Sequence, residues 1–197
     1  MSLTPMMLLA LALSYALGSL PSGLWLGLWF RGVDIRNEGS KNIGATNTMR
    51  VLGKKLGAIA LFCDIVKGLV PVVLFARLEA SDLHLPVACG VAAVLGHSFS
   101  VFLRFKGGKG VATSAGVFLG LATWPALISI ATFAVLVAIT RMVSVGSIGG
   151  AIALAVSVWF FPLTTLVRVM AVLIAALVII KHRSNVKRIV QGEENRI

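Results

Sequence analysis

Apolar side chains run almost unbroken over seven stretches, about 5–30, 56–78, 84–103, 111–123, 125–140, 148–161 and 163–180, and the polar residues gather in the gaps. A helix needs roughly 20 apolar residues to cross a bilayer core, within a range of about 17–25. The first, second, third and seventh stretches reach that length; the other three are short. Pro125 and Pro162 divide what could otherwise be two long helices. A helix over 111–140 would measure ~45 Å at about 1.5 Å per residue, more than one span needs. The pattern therefore predicts an all-α, polytopic membrane bundle of seven transmembrane helices, with tight turns near Trp124-Pro125 and Phe161-Pro162. Five longer helices are the alternative count. There is no internal repeat and no low-complexity linker, so residues 1–197 read as a single domain. Ser19, Gly23 and Gly27 recur at spacing four in the first stretch, which lets membrane helices approach closely.

Composition agrees with the pattern. Hydrophobic residues make up 58% of the chain and charged ones 13%, against roughly 45–50% and about 25% in a soluble domain. That hydrophobicity excludes disorder. With two cysteines, Cys63 and Cys89, the chain is no disulfide scaffold; both read as small apolar residues within spans.

Charge adds an orientation. The chain has 18 Lys and Arg against 7 Asp and Glu, a net charge of +11. Nucleic acid is an unsuitable partner, because these basic residues sit in short loops between apolar runs. The first charge is Arg31, beyond the first span. A cleavable signal peptide would open with a basic region instead; the basic flank here follows the span, so the N-terminus is placed outside. Segments 31–55, 104–110, 141–147 and the tail from 181 then all lie inside. They hold six, three, one and five basic residues, 15 of the 18. This is the bias expected of cytoplasmic loops, and it puts the C-terminus in the cytoplasm. The five-helix count gives the same orientation.

The inner segments carry more polar chemistry than connections require. Ser40, Lys41, Asn42, Thr46, Asn47 and Arg50 fall within 11 positions, interleaved with Gly39 and Gly44. Backbone N–H groups turned outward by glycine, together with basic side chains, suit phosphate. A loop resting on anionic headgroups would be basic as well, but needs fewer Asn and Thr residues. In the second segment Gly107, Gly108 and Gly110 surround Lys109, with Lys106 just before. A Walker A loop has Ser or Thr directly after its lysine; here Gly110 follows, so phosphate binding is predicted without nucleotide triphosphate chemistry. The third segment, Ser144 to Gly150, offers hydroxyls at the predicted start of the sixth helix. Ser147 fits either anion binding there or a simple N-cap. In the tail, His182 and Asn185 stand three apart and would share a face if the last helix continues.

Two polar sites lie within spans. Asp64 and Lys67 are three apart and can form an ion pair, and His97 precedes the glycine-lysine segment by about two turns. Intramembrane charges are functional candidates; structural tethering and a buried, hydrogen-bonded histidine are the alternatives. The absences narrow the chemistry further. No acidic cluster could hold Mg²⁺ or Ca²⁺, and no Cys/His set could hold Zn²⁺. There is no Gly-x-Ser-x-Gly elbow. His84, His97 and His182 are followed five residues on by Cys89, Phe102 and Lys187, so the His-x4-Asp acyltransferase motif is absent. A phosphate or organophosphate transporter is the rival class, but carriers often show related halves and midplane sites. Here polarity is one-sided.

Four passages are long and specific: Gly-Ser-Lys-Asn-Ile-Gly-Ala-Thr-Asn at 39–47, Gly-His-Ser-Phe at 96–99 leading to Phe-Lys-Gly-Gly-Lys-Gly-Val-Ala-Thr at 105–113, Asp64-x-x-Lys67-Gly68, and His-Arg-Ser-Asn at 182–185 through Gly192-Glu193. The chain resembles, over nearly its whole length, the bacterial acyl-phosphate:glycerol-3-phosphate acyltransferases, the PlsY family. One departure is Ser100, where many members have proline. The resemblance implies a multi-pass enzyme of the bacterial inner membrane with a cytoplasmic active site. It implies transfer of a fatty acyl group from a long-chain acyl phosphate to the 1-hydroxyl of glycerol 3-phosphate, giving lysophosphatidic acid and phosphate. No cofactor or metal is expected, and membrane lipid is the surrounding partner. In that chemistry Lys109, Arg50 and Ser40 would hold phosphate, helped by Lys41, Asn42, Thr46, Asn47, Lys106, Gly107, Gly108 and Gly110. Ser147 and Asn185 would position the donor or stabilise developing charge, and His182 or a substrate phosphate would take the proton. Asp64, Lys67, His97 and Glu193 would support the site.

Overall fold

The computed structural model describes residues 4–197. Every regular element among them is helical, and the chain divides into two compact units, one ending at Val117 and one running from Phe118 to Ile197.

In the first unit, α1 (Pro5–Ser19) starts at Thr4, whose hydroxyl accepts from the Met7 N–H at 3.2 Å. Pro5 stands in the first turn, where a missing N–H costs nothing. The first apolar run is not one straight helix. Pro21 has no N–H to continue it, and the chain resumes as α2 (Ser22–Arg31), bent by 47° from α1. Gly32 ends α2 in the left-handed region at φ 63°. The segment expected to be a loop folds further, into α3 (Ala45–Leu52), which leads through Gly53 into α4 (Lys54–Val73). A 3-10 turn, Phe75–Glu79, closes α4, and α5 (Leu85–Ser98) follows, ending in a second 3-10 turn, Val101–Leu103.

Glycines set the spacing between these elements, with partners other than those expected. A Cβ at Gly18 would run into the Ala93 backbone and one at Gly96 into the Tyr15 carbonyl, so α1 and α5 meet backbone to backbone. Gly23 and Gly27, read as helix-packing residues, give close approach both to α3, at Thr48, and to the connection before it, at Ile43 and Val33. Around them Leu24, Ile35, Ile43, Leu52 and Leu103 form one apolar cluster; Met7, Ala10, Ala76, Leu85 and Cys89 form another.

The helix α6 (Val111–Leu121) begins in the first unit and ends in the second. It stops at Ala122, and α7 (Thr123–Thr140) carries Pro125 in its first turn. A continuous helix over 111–140 is therefore excluded, and the break falls just before Trp124-Pro125. Arg141, at φ 62°, turns the chain tightly into α8 (Val143–Ser157). Gly146, Gly149 and Gly150 face α7, and the Ser129 hydroxyl donates to the Gly150 carbonyl at 2.7 Å. After a 3-10 turn, Val158–Phe160, the chain turns at Phe161-Pro162 as expected and enters α9 (Thr165–Lys181). Arg168 holds that turn by donating to the Phe161 carbonyl at 3.1 Å, with its guanidinium over the Trp159 ring. At His182 the chain bends by 54° into α10 (Arg183–Val190).

Among the described residues four helical segments are long and apolar enough to cross a membrane, Lys54–Glu79, Leu85–Leu103, Thr123–Thr140 and Val143–Phe160, and there are up to six if each bent pair is one span. The apolar α6 is shorter, at 11 residues. The expected total of seven is reached only when α6 also crosses.

Candidate active site

The first unit contributes two phosphate-suited corners. In the connection between α2 and α3, Asn47 is almost fully buried and spends its amide on the chain around it. Its Nδ2 donates to the Ile35 and Glu38 carbonyls at 2.9 and 3.1 Å, and its Oδ1 accepts the Ser40 N–H at 2.8 Å. Asn47 thus shapes the corner. Asn42 does likewise, accepting the Gly44 N–H at 2.9 Å. Ser40, Lys41 and Arg50 are exposed, and Thr46 is half-buried. Gly39 and Lys41 both take positive φ, 57° and 58°; a Cβ on Gly39 would stand 3.4 Å from Arg50 Cδ, so Arg50 lies alongside the corner that presents Ser40. Beside it, Arg36 makes a forked pair with Asp34. Its hydrogen bonds hold the Asp34 carboxyl below the usual carboxylate range. Exposed pairs of this kind contribute little to stability.

The second corner is the glycine-lysine segment. It leaves the 3-10 turn through two consecutive positive-φ residues, Arg104 and Phe105. It then lies on the end of α5, where Gly108 N–H donates to the His97 carbonyl at 3.0 Å. A Cβ on Gly107 would collide with that carbonyl, and one on Gly108 with His97 Nε2. The glycines are therefore required for close approach as well as for exposing N–H groups. Lys106 is exposed and Lys109 half-buried. The segment ends at Gly110, φ 81°, and α6 begins. Just inside α6, the buried hydroxyls of Thr113 and Ser114 have no hydrogen-bond partner among the described residues.

Beneath this corner is the intramembrane cluster. Lys67 Nζ lies 2.8 Å from Asp64 Oδ1 and donates to the Leu20 carbonyl at 2.7 Å. His97 Nδ1 lies 4.0 Å from the same Asp64 oxygen. All three side chains are buried. Ser100, the departure from the family pattern, donates its hydroxyl to the Ser19 carbonyl at 2.5 Å.

The second unit gathers its own polar set. The α8 helix starts at Val143, earlier than expected, so Ser147 lies within the second turn and is not an N-cap. Its hydroxyl donates to the Val143 carbonyl at 2.8 Å. His182 stands at the bend between α9 and α10, so the helix does not continue straight to Asn185 as expected. His182 Nδ1 donates to the Val178 carbonyl at 2.8 Å. In the neutral ring the lone pair then sits on Nε2. Asn185 Nδ2 donates to Glu194 Oε1 at 2.6 Å, and Arg188 Nε to Glu194 Oε2 at 2.8 Å. Burial pushes the Glu194 carboxyl up, but the hydrogen bonds from Asn185 and Arg188 and the arginine charge prevail, and it lies below its ordinary value. Sequence reasoning named Glu193, which is exposed; the carboxylate on Asn185 is Glu194. Only the pattern of the helix end could have indicated it. Among the described residues no three His, Cys, Asp or Glu side chains are grouped to share a metal ion.

This polar machinery on an integral membrane, all-helical chain has counterparts. The family model for glycerol-3-phosphate acyltransferase matches residues 8–192. The glycerol-3-phosphate acyltransferase of Trichlorobacter lovleyi is 49% identical over 183 residues, 93% of each chain. Crystal structures of PlsY, an integral membrane glycerol 3-phosphate acyltransferase, in its glycerol 3-phosphate and lysophosphatidic acid forms, superpose with TM-scores of 0.91 and 0.89. They are 38% and 37% identical to this chain, each covering 97% of it and 95% of the solved chain. The chain belongs to the PlsY family of integral membrane glycerol-3-phosphate acyltransferases.

Proposed function

We propose that this enzyme, working as a single domain over residues 1–197, takes its acyl group from a long-chain acyl phosphate and transfers it to the 1-hydroxyl of glycerol 3-phosphate. The observation that carries this reading is the glycine-lysine corner: bare backbone laid on His97, with Lys109 half-buried in it, and two buried hydroxyls just beyond it without partners among the described residues. Such a corner suits a phosphate, and both proposed substrates carry one. Exposed Arg50 and Ser40 offer a second anion-binding corner. Crystal structures of PlsY with glycerol 3-phosphate and lysophosphatidic acid support the acceptor and product.

The donor is a mixed anhydride, so its leaving group is already good. The 1-hydroxyl oxygen attacks the acyl carbon, the bond from that carbon to the phosphate oxygen breaks, and inorganic phosphate departs with its electron pair. Lys109, Arg50 and Ser40 balance the negative charge on the two phosphates. Ser147 and Asn185 orient the donor or donate to the developing oxyanion, Ser147 by releasing the Val143 carbonyl. The hydroxyl proton passes to His182 Nε2, whose lone pair is consistent with the Nδ1–H bond to Val178. No step of this route calls for a covalent enzyme intermediate, a metal or a cofactor. The basic inner segments support a site on the cytoplasmic side of a bacterial inner membrane.

The test is direct. Detergent-purified protein is mixed with glycerol 3-phosphate and either palmitoyl phosphate or palmitoyl-CoA, with chelator present, and lysophosphatidic acid and phosphate are followed. Product from the acyl phosphate alone is expected. Product from the CoA ester alone would overturn the donor assignment, and product from neither in a folded preparation would overturn the activity.

A further inference from the structure

The break in the first span leaves non-helical backbone among apolar helices, where every carbonyl must find a donor. Two side chains supply them. Lys67 of α4 donates to the Leu20 carbonyl at 2.7 Å, and Ser100, just past α5, donates to the Ser19 carbonyl at 2.5 Å. Lys67 is paired with Asp64 at 2.8 Å, and the same carboxylate oxygen stands 4.0 Å from His97 Nδ1. On its other side, His97 carries the glycine-lysine segment: its carbonyl accepts the Gly108 N–H, and its Nε2 edge faces the Gly108 α-carbon. One connected path thus runs from the helix break to the segment that presents Lys109. The side chains of Lys67, Asp64 and His97 are 4%, 3% and 4% exposed, so none of them spends its polar atoms on water. An apolar trio could fill this space, but it could not hold a freed carbonyl at one end and orient an imidazole at the other.

We infer that Asp64, Lys67 and His97 act as positioning residues, a buried bridge that keeps the glycine-lysine corner in register with the Leu20–Pro21 break and so sets the affinity for glycerol 3-phosphate. This rests on the reading that the corner binds a substrate phosphate. Lys67 Nζ and His97 Nδ1 approach the same Asp64 carboxylate oxygen, so their coupling runs through Asp64. Residues that act through one bridge have non-additive effects.

The experiment measures glycerol 3-phosphate binding by calorimetry, and KM and kcat, on purified full-length wild type, Lys67→Met, His97→Gln and the double variant, each checked for a cooperative melt. Each single change is expected to raise KM and Kd about tenfold with kcat within about threefold, a split that marks lost ground-state binding. The double variant is expected to be no worse than the weaker single. Folded variants with unchanged affinity, a fall in kcat at constant KM, or multiplied effects in the double would overturn the inference. Where Lys67→Met fails to fold, Asp64→Asn takes its place: it keeps the shape, removes the charge and is held to the same outcomes. Wild type that binds no glycerol 3-phosphate would instead overturn the functional reading.

Discussion

The proposed role of His182 as the base rests on the bond from its Nδ1–H to the Val178 carbonyl. With Nδ1–H committed to the Val178 carbonyl, the neutral ring is oriented to accept a proton at Nε2. Removing a positioned base costs roughly 10²–10⁴-fold in rate, so His182→Ala should lose about that much in kcat while still melting cooperatively. Near-normal turnover would transfer the proton to a substrate phosphate. Glu194 works one step away, through Asn185 and Arg188. Hydrogen bonds to a charged group are worth about 1.5–3 kcal/mol each when made, and less after rearrangement. Glu194→Gln should therefore lower stability at neutral pH by about 1–3 kcal/mol and lower kcat through a misplaced Asn185. The pH dependence has a definite sign. The folded carboxyl lies below its ordinary value, so its contribution is present above the unfolded pKa of about 4.3. It is lost as pH falls through the lower folded value. Acid unfolding curves of wild type and Glu194→Gln should converge as pH falls; curves that stay parallel would refute this. The sequence showed His182 and Asn185 as a pair but not what holds them, since Glu193 and Glu194 differ only in which way a helix end turns.

At the scale of elements, breaks and starts decide where the chemistry sits. Pro21, Pro125 and Pro162 were visible in the sequence, yet Pro21 lies inside a continuous apolar run and hydropathy alone hides its bend. The α3 helix was hidden differently: its Asn and Thr residues read as loop, and they become helical because Leu52 and its neighbours pack beneath α2. Ser147 was misplaced because the N-cap of α8 is Met142, which makes no side-chain cap hydrogen bond, so no capping residue marks the start of the helix. The intimacy of the glycine-lysine segment with His97 joins residues ten positions apart through a turn, which no periodicity encodes. It does make a graded prediction. A methyl on Gly107 meets a backbone carbonyl, which cannot yield, whereas one on Gly108 meets the edge of an imidazole, which can rotate. Overpacking costs about 1–3 kcal/mol. Gly107→Ala should therefore lose more thermal stability and raise the KM for glycerol 3-phosphate more than Gly108→Ala. The reverse order, measured by melting and steady-state kinetics, would mean that the segment does not rest on α5 as described.

For the whole molecule, the proposed orientation rests on the distribution of charge, and orientation decides which water compartment supplies the soluble substrate. The four inner segments hold 15 of the 18 basic residues, while the turn around Glu79 and Asp82 has its acids beyond the opposite end of α4. Apolar helices flanked by Lys and Arg at one end insert with that end inward. Glycerol 3-phosphate would then meet the site from the cytoplasm, while an acyl phosphate reaches it from the bilayer. The two native cysteines lie within α5 and α4, Cys89 buried and Cys63 partly so, and can be replaced to give a clean background. Single cysteines at the exposed positions Asn37, Ser81 and Lys187 then report the two faces. A membrane-impermeant maleimide applied to intact spheroplasts should label Ser81→Cys, and should label Asn37→Cys and Lys187→Cys only after the membrane is opened. Labelling of position 37 or 187 in sealed spheroplasts would invert the orientation. The phosphate corners would then face a compartment without the acceptor, and the proposed reaction could not run in the cell whatever the purified enzyme does.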